Sequence, residues 1–290
     1  YHKFLKKYPN ISYLANTSND ELLKIWEGLG YYSRALNMHK TALIVQEKFD
    51  GKFPSKYSDL IELPGIGDYT ASAVSSICSD EVQPVVDGNV LRFLSRLYKI
   101  DLPIDTAKTK TYFKNLGFKL IKGVKPGDFN QAMMDYGSMV CKPRKSGCHD
   151  CMFSTECEAF NTDSVMQYPF KKKKIKIKDR YLNYVVVISD DKKTRIKKRD
   201  NEGIWKNLYE FPLIETKKES TCNDIIKKLD IDFLELKGVK KIKHKLSHQL
   251  LHISFFIFRV GDVFDDFISI QSLNKYPFPK PLNKFISELV

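Results

Sequence analysis

The sequence predicts two domains of different class, an all-α half over residues 1–160 followed by an α+β half over residues 179–290. Three observations carry this reading. Helical periodicity with short connections runs from Tyr1 to about Phe160, and β-branched runs are rare there. A polar, lysine-rich stretch over residues 161–178 then breaks the pattern, with Lys171 to Lys174 in a row. Beyond it, β-branched and aromatic runs alternate with turn residues. A chain of 290 residues is long enough for each half to bury its own core.

In the first half, apolar spacing predicts helices over 20–28, 33–49, 58–63, 69–79, 106–121 and 129–140, with Asn19 and Asp105 as N-caps. The first residues also have the pattern of an amphipathic helix. Residues 161–178 are expected to be a basic linker lying along something acidic. In the second half, residues 181–188, 194–198, 240–245 and 250–260 are expected strands, and 221–229 and 282–289 expected helices.

Charge points to the kind of partner. The chain carries 48 basic against 35 acidic side chains, a net +13, and residues 161–180 alone hold seven basic against two acidic. Neutralising a phosphate with Lys or Arg releases condensed counterions, so this balance favours a polyanion. The longest apolar runs, residues 184–188 and 250–258, fall short of the roughly 20 residues that cross a bilayer, so a soluble protein with no membrane partner is expected. A cytoplasmic, nucleoid-associated bacterial protein is expected. No charged-then-apolar leader follows Tyr1, and the chain is expected to be truncated at its N-terminus.

The cysteines are the most specific signal. Cys141, Cys148, Cys151 and Cys157 form a C-x6-C-x2-C-x5-C run, with Cys78 and Cys222 isolated. A large helical core needs no disulfide staples, so metal is the better reading. Four thiolates can close a tetrahedral zinc site or hold a cubane iron–sulfur cluster. A single C-x2-C flanked by loops of six and five favours the cluster over paired zinc knuckles.

Two further motifs stand upstream. Leu63-Pro64-Gly65-Ile66-Gly67-Asp68 lies between helical stretches, where Gly65 and Gly67 let the backbone turn and point N–H groups outward as an anion site. In a basic protein this is a candidate helix-hairpin-helix gripping one DNA phosphate. Asp87, after Val85-Val86 and before Gly88-Asn89, suits an N-cap for a helix beginning near Asn89. A carboxylate fixed there is also placed to face a cationic transition state.

Trp26-Glu27-Gly28-Leu29-Gly30-Tyr31-Tyr32-Ser33-Arg34-Ala35, the Leu-Pro-Gly-Ile-Gly turn, Val86-Asp87-Gly88-Asn89-Val90, Asn130-Gln131-Ala132-Met133-Met134-Asp135 and the four cysteines occur in one order. Together they resemble the MutY-type adenine DNA glycosylases of the helix-hairpin-helix superfamily. The resemblance covers nearly the whole chain. It implies a [4Fe-4S] cluster on Cys141, Cys148, Cys151 and Cys157, and a monomer acting on double-stranded DNA that contains A·8-oxoguanine or A·G mispairs. It implies that Asp87 stabilises the charge left on the sugar, that Tyr69 and Asn89 orient Asp87, and that Tyr31 inserts into the base stack with Arg34 on the DNA. Two other readings compete. An endonuclease III-like glycosylase and lyase would carry a lysine where this chain has Tyr69, and a non-catalytic lesion-binding protein would need no acid.

The second half resembles the family's Nudix-like C-terminal domain through Lys198-Arg199, Gly203-Ile204-Trp205 and Leu208-Tyr209-Glu210-Phe211-Pro212. No glutamate-rich helix follows Pro212, so this domain is expected to recognise and not hydrolyse. Leu246-Ser247-His248 matches the family's Phe-Ser-His loop at the oxidised guanine, with Leu246 in the Phe position. The family's general acid is a glutamate in a segment that would precede Tyr1. Glu21, Glu27 and Glu62 match other family positions and are not assigned that role. Residues 1–290 alone are therefore expected to bind DNA weakly and excise adenine negligibly.

Overall fold

The computed structural model describes residues 1–144, 146–171, 177–200, 203–229, 235–261 and 265–289. In chain order its helices are α1 (His2–Lys7), α2 (Ile11–Ala15), α3 (Asn19–Ile25), α4 (Tyr32–Lys48), α5 (Tyr57–Leu60), α6 (Asp68–Ser79), α7 (Gly88–Leu97), α8 (Ala107–Leu120), α9 (Pro126–Met139) and α10 (Glu158–Asn161). The strands β1 (Lys178–Ser189), β2 (Lys193–Arg195), β3 (Lys197–Lys198), β4 (Tyr209–Glu210) and β5 (Leu213–Thr216) follow. Then come α11 (Cys222–Ile226), β6 (Glu235–Lys245), β7 (Gln249–Val260), β8 (Phe267–Ser269) and α12 (Lys280–Ile286). Among the described residues, every helix or strand of the first 160 is helical, as expected. Residues 172–176 of the expected linker lie outside the described residues.

Two of the expected N-caps move by one residue. Ser18 caps α3 by accepting from the Glu21 amide, and Thr106 caps α8 by accepting from the Thr109 amide. In each case a hydroxyl next to the expected Asn19 or Asp105 has the extended backbone that a cap requires. Residues 194–198, expected as one strand, divide into β2 and β3, which pair in different sheets.

The chain forms two compact units, Tyr1–Gln46 with Ile175–Val290, and Glu47–Lys174. This differs from the division at 161–178 expected from texture. Leu22, Leu23, Tyr32 and Ala35 of α3 and α4 share one buried cluster with Leu208, with Trp205 packed at its edge. The partners of that apolar face stand some 180 residues away in the chain, so no local pattern announces them.

In that unit, β7 pairs with β6 antiparallel and with β1 parallel over all twelve residues from Lys178 to Ser189. A strand buried on both faces is apolar nearly throughout, as β1 is from Tyr184 to Ile188. Leu182, Tyr184 and Val186 face a core shared with Leu282, Phe285 and Ile286 of α12, where the Phe255 and Phe285 rings stack at 3.9 Å. Val185 and Val187 face the opposite core with Ile225 of α11. Helices thus cover both faces of the sheet.

One ion pair is buried there. Arg199 Nη1 donates to Glu210 Oε2 at 2.6 Å, and Tyr184 Oη donates to the same oxygen at 3.3 Å. Burial and the Glu210 carboxylate push the Tyr184 phenol well above its usual range. Glu210→Ala leaves Arg199 buried without its partner and is expected to cost about 3–5 kcal/mol in urea denaturation. Arg259→Gln, which removes the exposed pair with Asp190, should leave the midpoint unchanged.

Candidate active site

In the unit over residues 47–174, the chemistry gathers at the start of α7. Asp87 is the N-cap, and its Oδ1 accepts from the Asn89 amide at 2.9 Å and the Val90 amide at 2.7 Å. Its Oδ2 accepts from Asn89 Nδ2 at 3.0 Å. The helix cap and the candidate carboxylate are one group. Of the two residues expected beside Asp87, Asn89 bonds it, whereas the Tyr69 hydroxyl donates to Met134 Sδ at 3.8 Å. Its one proton is spent on that sulfur, and the Tyr69 ring is half exposed.

The irregular segment leading into Asp87 is pinned by a buried amide. Asn130 Oδ1 accepts from the Val85 amide at 2.9 Å, while its Nδ2 donates to Ser76 Oγ and to the Gln83 carbonyl, both at 2.8 Å. Helix α9 approaches the same point closely at Gly137, where a Cβ would stand 2.7 Å from the Asn89 carbonyl oxygen. Only glycine fits between these helices.

Two arginines on one face of α7 tie it to the cysteine loop. Arg92 Nε donates to the Cys141 carbonyl at 2.7 Å, and its Nη2 donates to Asn89 Oδ1 at 3.1 Å and to the Gly137 carbonyl. Arg96 Nη1 donates to the Lys142 carbonyl at 2.7 Å and to Cys141 Sγ at 3.4 Å. Sequence reading named neither arginine as functional, although their spacing from Asn89 on one helix was the available signal.

Cys141, Cys148, Cys151 and Cys157 line one pocket walled by Phe93, Val140, Phe153, Phe160 and Val165. Tyr136 Oη lies 3.0 Å from Cys151 Sγ, and burial together with that cysteine pushes the phenol up to about 12. Apolar walls and N–H or O–H donors to sulfur are what iron–sulfur thiolates require around them. Among the described residues, no three His, Cys, Asp or Glu side chains converge into a metal-holding group. The loop gathers the four thiols around a common space without drawing them into a ligating set.

The expected hairpin lies between α5 and α6. Gly65 has φ +79°, which an L side chain would resist, and Gly67 is the N-cap of α6. The first N–H groups of a helix have no partner within it, so this terminus can take an anion. Tyr57 Oη and Lys114 Nζ both donate to Asp68 Oδ1 at 2.8 Å, which braces the turn.

The other unit contains a groove of about 650 Å³. One wall is the loop from Gly28 to Ser33, another runs from Gly203 to Lys206, and the hairpin from His244 to Gln249 with Lys280 and Pro281 completes it. Tyr31, adjoining positive-φ Gly30, has φ +44° and is 73% exposed, a strained backbone that holds an aromatic ring outward. The Arg34 guanidinium sits 5.6 Å from the Tyr31 ring centroid. Ser247 and His248 are exposed at the β6–β7 turn, whereas Leu246 is half-buried against the sheet core. Two motifs more than 200 residues apart therefore share one groove.

Residues 1–117 match the HhH-GPD superfamily of base excision DNA repair proteins, and residues 183–288 match the NUDIX domain. The adenine DNA glycosylase of Buchnera aphidicola subsp. Schizaphis graminum is 36% identical over 298 residues, covering 99% of this chain and 84% of that one. The chain belongs to the adenine DNA glycosylase family. The member from Buchnera aphidicola subsp. Acyrthosiphon pisum is 33% identical over 298 residues, covering 99% of this chain and 83% of its own. Among solved structures, a thermostable thymine-DNA glycosylase aligns with TM-score 0.51 at 28% identity, over 56% of this chain and 75% of that one. Adenine DNA glycosylases thus include a chain with the Asp87 cap, the four-cysteine pocket and the Tyr31–Ser247 groove. No helix among the described residues is long and apolar enough to cross a membrane.

Groove residues that sequence reading missed are His244 and Lys280. Burial and the Lys280 charge hold the His244 imidazole below its usual 6.5. The unfolded chain then takes up a proton that the folded one refuses. Stability is expected to be full above about pH 6.5 and to fall as pH drops through the folded value. An NMR titration should place the His244 midpoint below the ordinary 6.5.

Proposed function

We propose that this adenine DNA glycosylase family member hydrolyses the N-glycosidic bond of adenine opposite 8-oxoguanine, or guanine, in double-stranded DNA, acting as a monomer. Residues 1–160 would form the glycosylase half and residues 179–290 the lesion-reading half. The observation that carries the reading is the carboxylate of Asp87, fixed by two backbone amides and Asn89 at the start of α7.

Adenine is flipped out of the helix, at a cost of a few kcal/mol that a mispair reduces. As the C1′–N9 bond lengthens, positive charge develops on the deoxyribose, and an ionised Asp87 faces it without reorganising. Adenine leaves with the C1′–N9 bonding pair and a proton taken up at a ring nitrogen, water adds to C1′, and the proton that water releases balances the one adenine carries away. The α6 turn at Gly65 and Gly67 holds a phosphate, while Tyr31 wedges into the stack with Arg34 against the backbone. Ser247 and His248 read the oxidised base edge, since a hydroxyl can donate or accept. The half-buried Leu246 supports that hairpin. Tyr69, bonded to Met134, acts as a half-exposed aromatic beside the site. Its phenol cannot form an imine with the sugar, which speaks against lyase chemistry.

Cys141, Cys148, Cys151 and Cys157 would hold a [4Fe-4S] cluster, which supplies a rigid cross-link for the loop anchored by Arg92 and Arg96. Iron analysis of protein purified without oxygen should give about four irons per chain. A colourless product with one zinc would sink the cluster.

Asp87→Asn separates the cap from the chemistry, because Asn caps about as well as Asp. Stability should change by less than about 1 kcal/mol, whereas single-turnover release of adenine from an A·8-oxoguanine duplex should fall about 10²–10³-fold. Undiminished release would remove Asp87 from the mechanism.

A further inference from the structure

The groove between Tyr31 and Ser247 has to keep its width, and one carboxylate is placed to set it. Glu27 immediately precedes the loop that carries Tyr31. Its Oε1 accepts from the Phe278 amide at 3.0 Å, two residues before Lys280 on the opposite lip. Its Oε2 accepts from Lys24 Nζ at 2.9 Å, and Lys24 Nζ also donates to the Tyr276 carbonyl at 3.1 Å. The Glu27 side chain is only 15% exposed, so these bonds are shielded from competing water. A second clasp stands earlier on α3, where Asp20 accepts from Lys198 Nζ and from Tyr209 Oη. Its partners pair with one another at the base of the loop whose Gly203 to Lys206 form another wall of the groove.

We infer that Glu27 is a positioning residue for lesion selectivity: by bonding the Phe278 amide it fixes the Tyr31 loop at a set distance from the lip beside the Ser247 hairpin. This rests on the groove being the reader of 8-oxoguanine. Asp20 braces a different wall of the same groove, so the comparison for packing alone is Ile225, buried in the core on the other face of the sheet and away from the groove.

Equilibrium binding tests this on the full chain, with duplexes carrying 8-oxoguanine or guanine opposite an uncleavable 2′-fluoro adenosine, alongside thermal melting. Glu27→Ala should lower the 8-oxoguanine preference about tenfold, the worth of one charge-assisted hydrogen bond. Glu27→Gln, whose amide oxygen still accepts from Phe278 N–H, should restore most of it. Ile225→Val, in the opposite core, should lower the melting temperature and keep the preference. Retention of the preference in Glu27→Ala overturns the inference, and so does its loss in Ile225→Val in step with the melting temperature. A wild-type chain that does not distinguish the two duplexes overturns the reading of the groove itself, before any variant is compared.

Discussion

A buried guanidinium must find acceptors for its N–H groups, and at Arg92 that requirement organises the unit over residues 47–174. Its partners are the carbonyls of Cys141 and Gly137 and the side chain of Asn89. Each partner belongs to a different feature: the cysteine loop, the helix that packs against α7, and the residue that orients Asp87. Leaving such a charge unpaired costs far more than the pairs return, so these features cannot shift independently. Arg96, one turn on, repeats the arrangement with Cys141 Sγ and the Lys142 carbonyl. The four-cysteine loop and the Asp87 cap thereby share one anchor.

Helix geometry explains why α7 serves as that anchor. Residues 89, 92 and 96 recur at spacings of three and four, which places them on one face. The opposite face buries Val90, Phe93, Leu94 and Leu97 against Phe113. The helix is amphipathic in an unusual sense, since its polar stripe is also buried. Arg92 and Arg96 are buried, while Asp87 and Asn89 at the helix start are half-buried, so the carboxylate is fixed by its bonds and still reachable.

The second unit meets a different constraint. A parallel β1–β7 pair buries both faces, and only helices on each side can cover it. The β6–β7 turn then projects beyond the covered region and leaves Ser247 and His248 exposed. Across from it, Tyr31 is held outward at positive φ beside Gly30. Strain in that loop persists because the chain is clasped at Asp20 on α3 and at Glu27 just after it, and because Trp26 Nε1 donates to the Gly30 carbonyl at 3.0 Å.

Local chemistry was readable in the sequence itself. The Gly65–Gly67 turn, Asp87 as a helix cap, the cysteine spacing and the change from helical to strand texture each depend on residues within a few positions of one another. The expected N-caps missed by one residue because Ser18 and Asn19, or Asp105 and Thr106, offer similar side-chain acceptors, and only backbone angles choose between them. Everything joining distant segments came from the tertiary structure: residues 1–46 with the C-terminal sheet, Asn130 with Val85, Arg92 with Cys141, Glu27 with Phe278. Periodicity records which face of an element is apolar but not what will cover it. A hydrogen bond across hundreds of residues leaves no mark on either neighbourhood. The sequence by itself therefore determined the parts and their chemistry, and packing alone decided which parts meet, because burial is a property of the assembled chain.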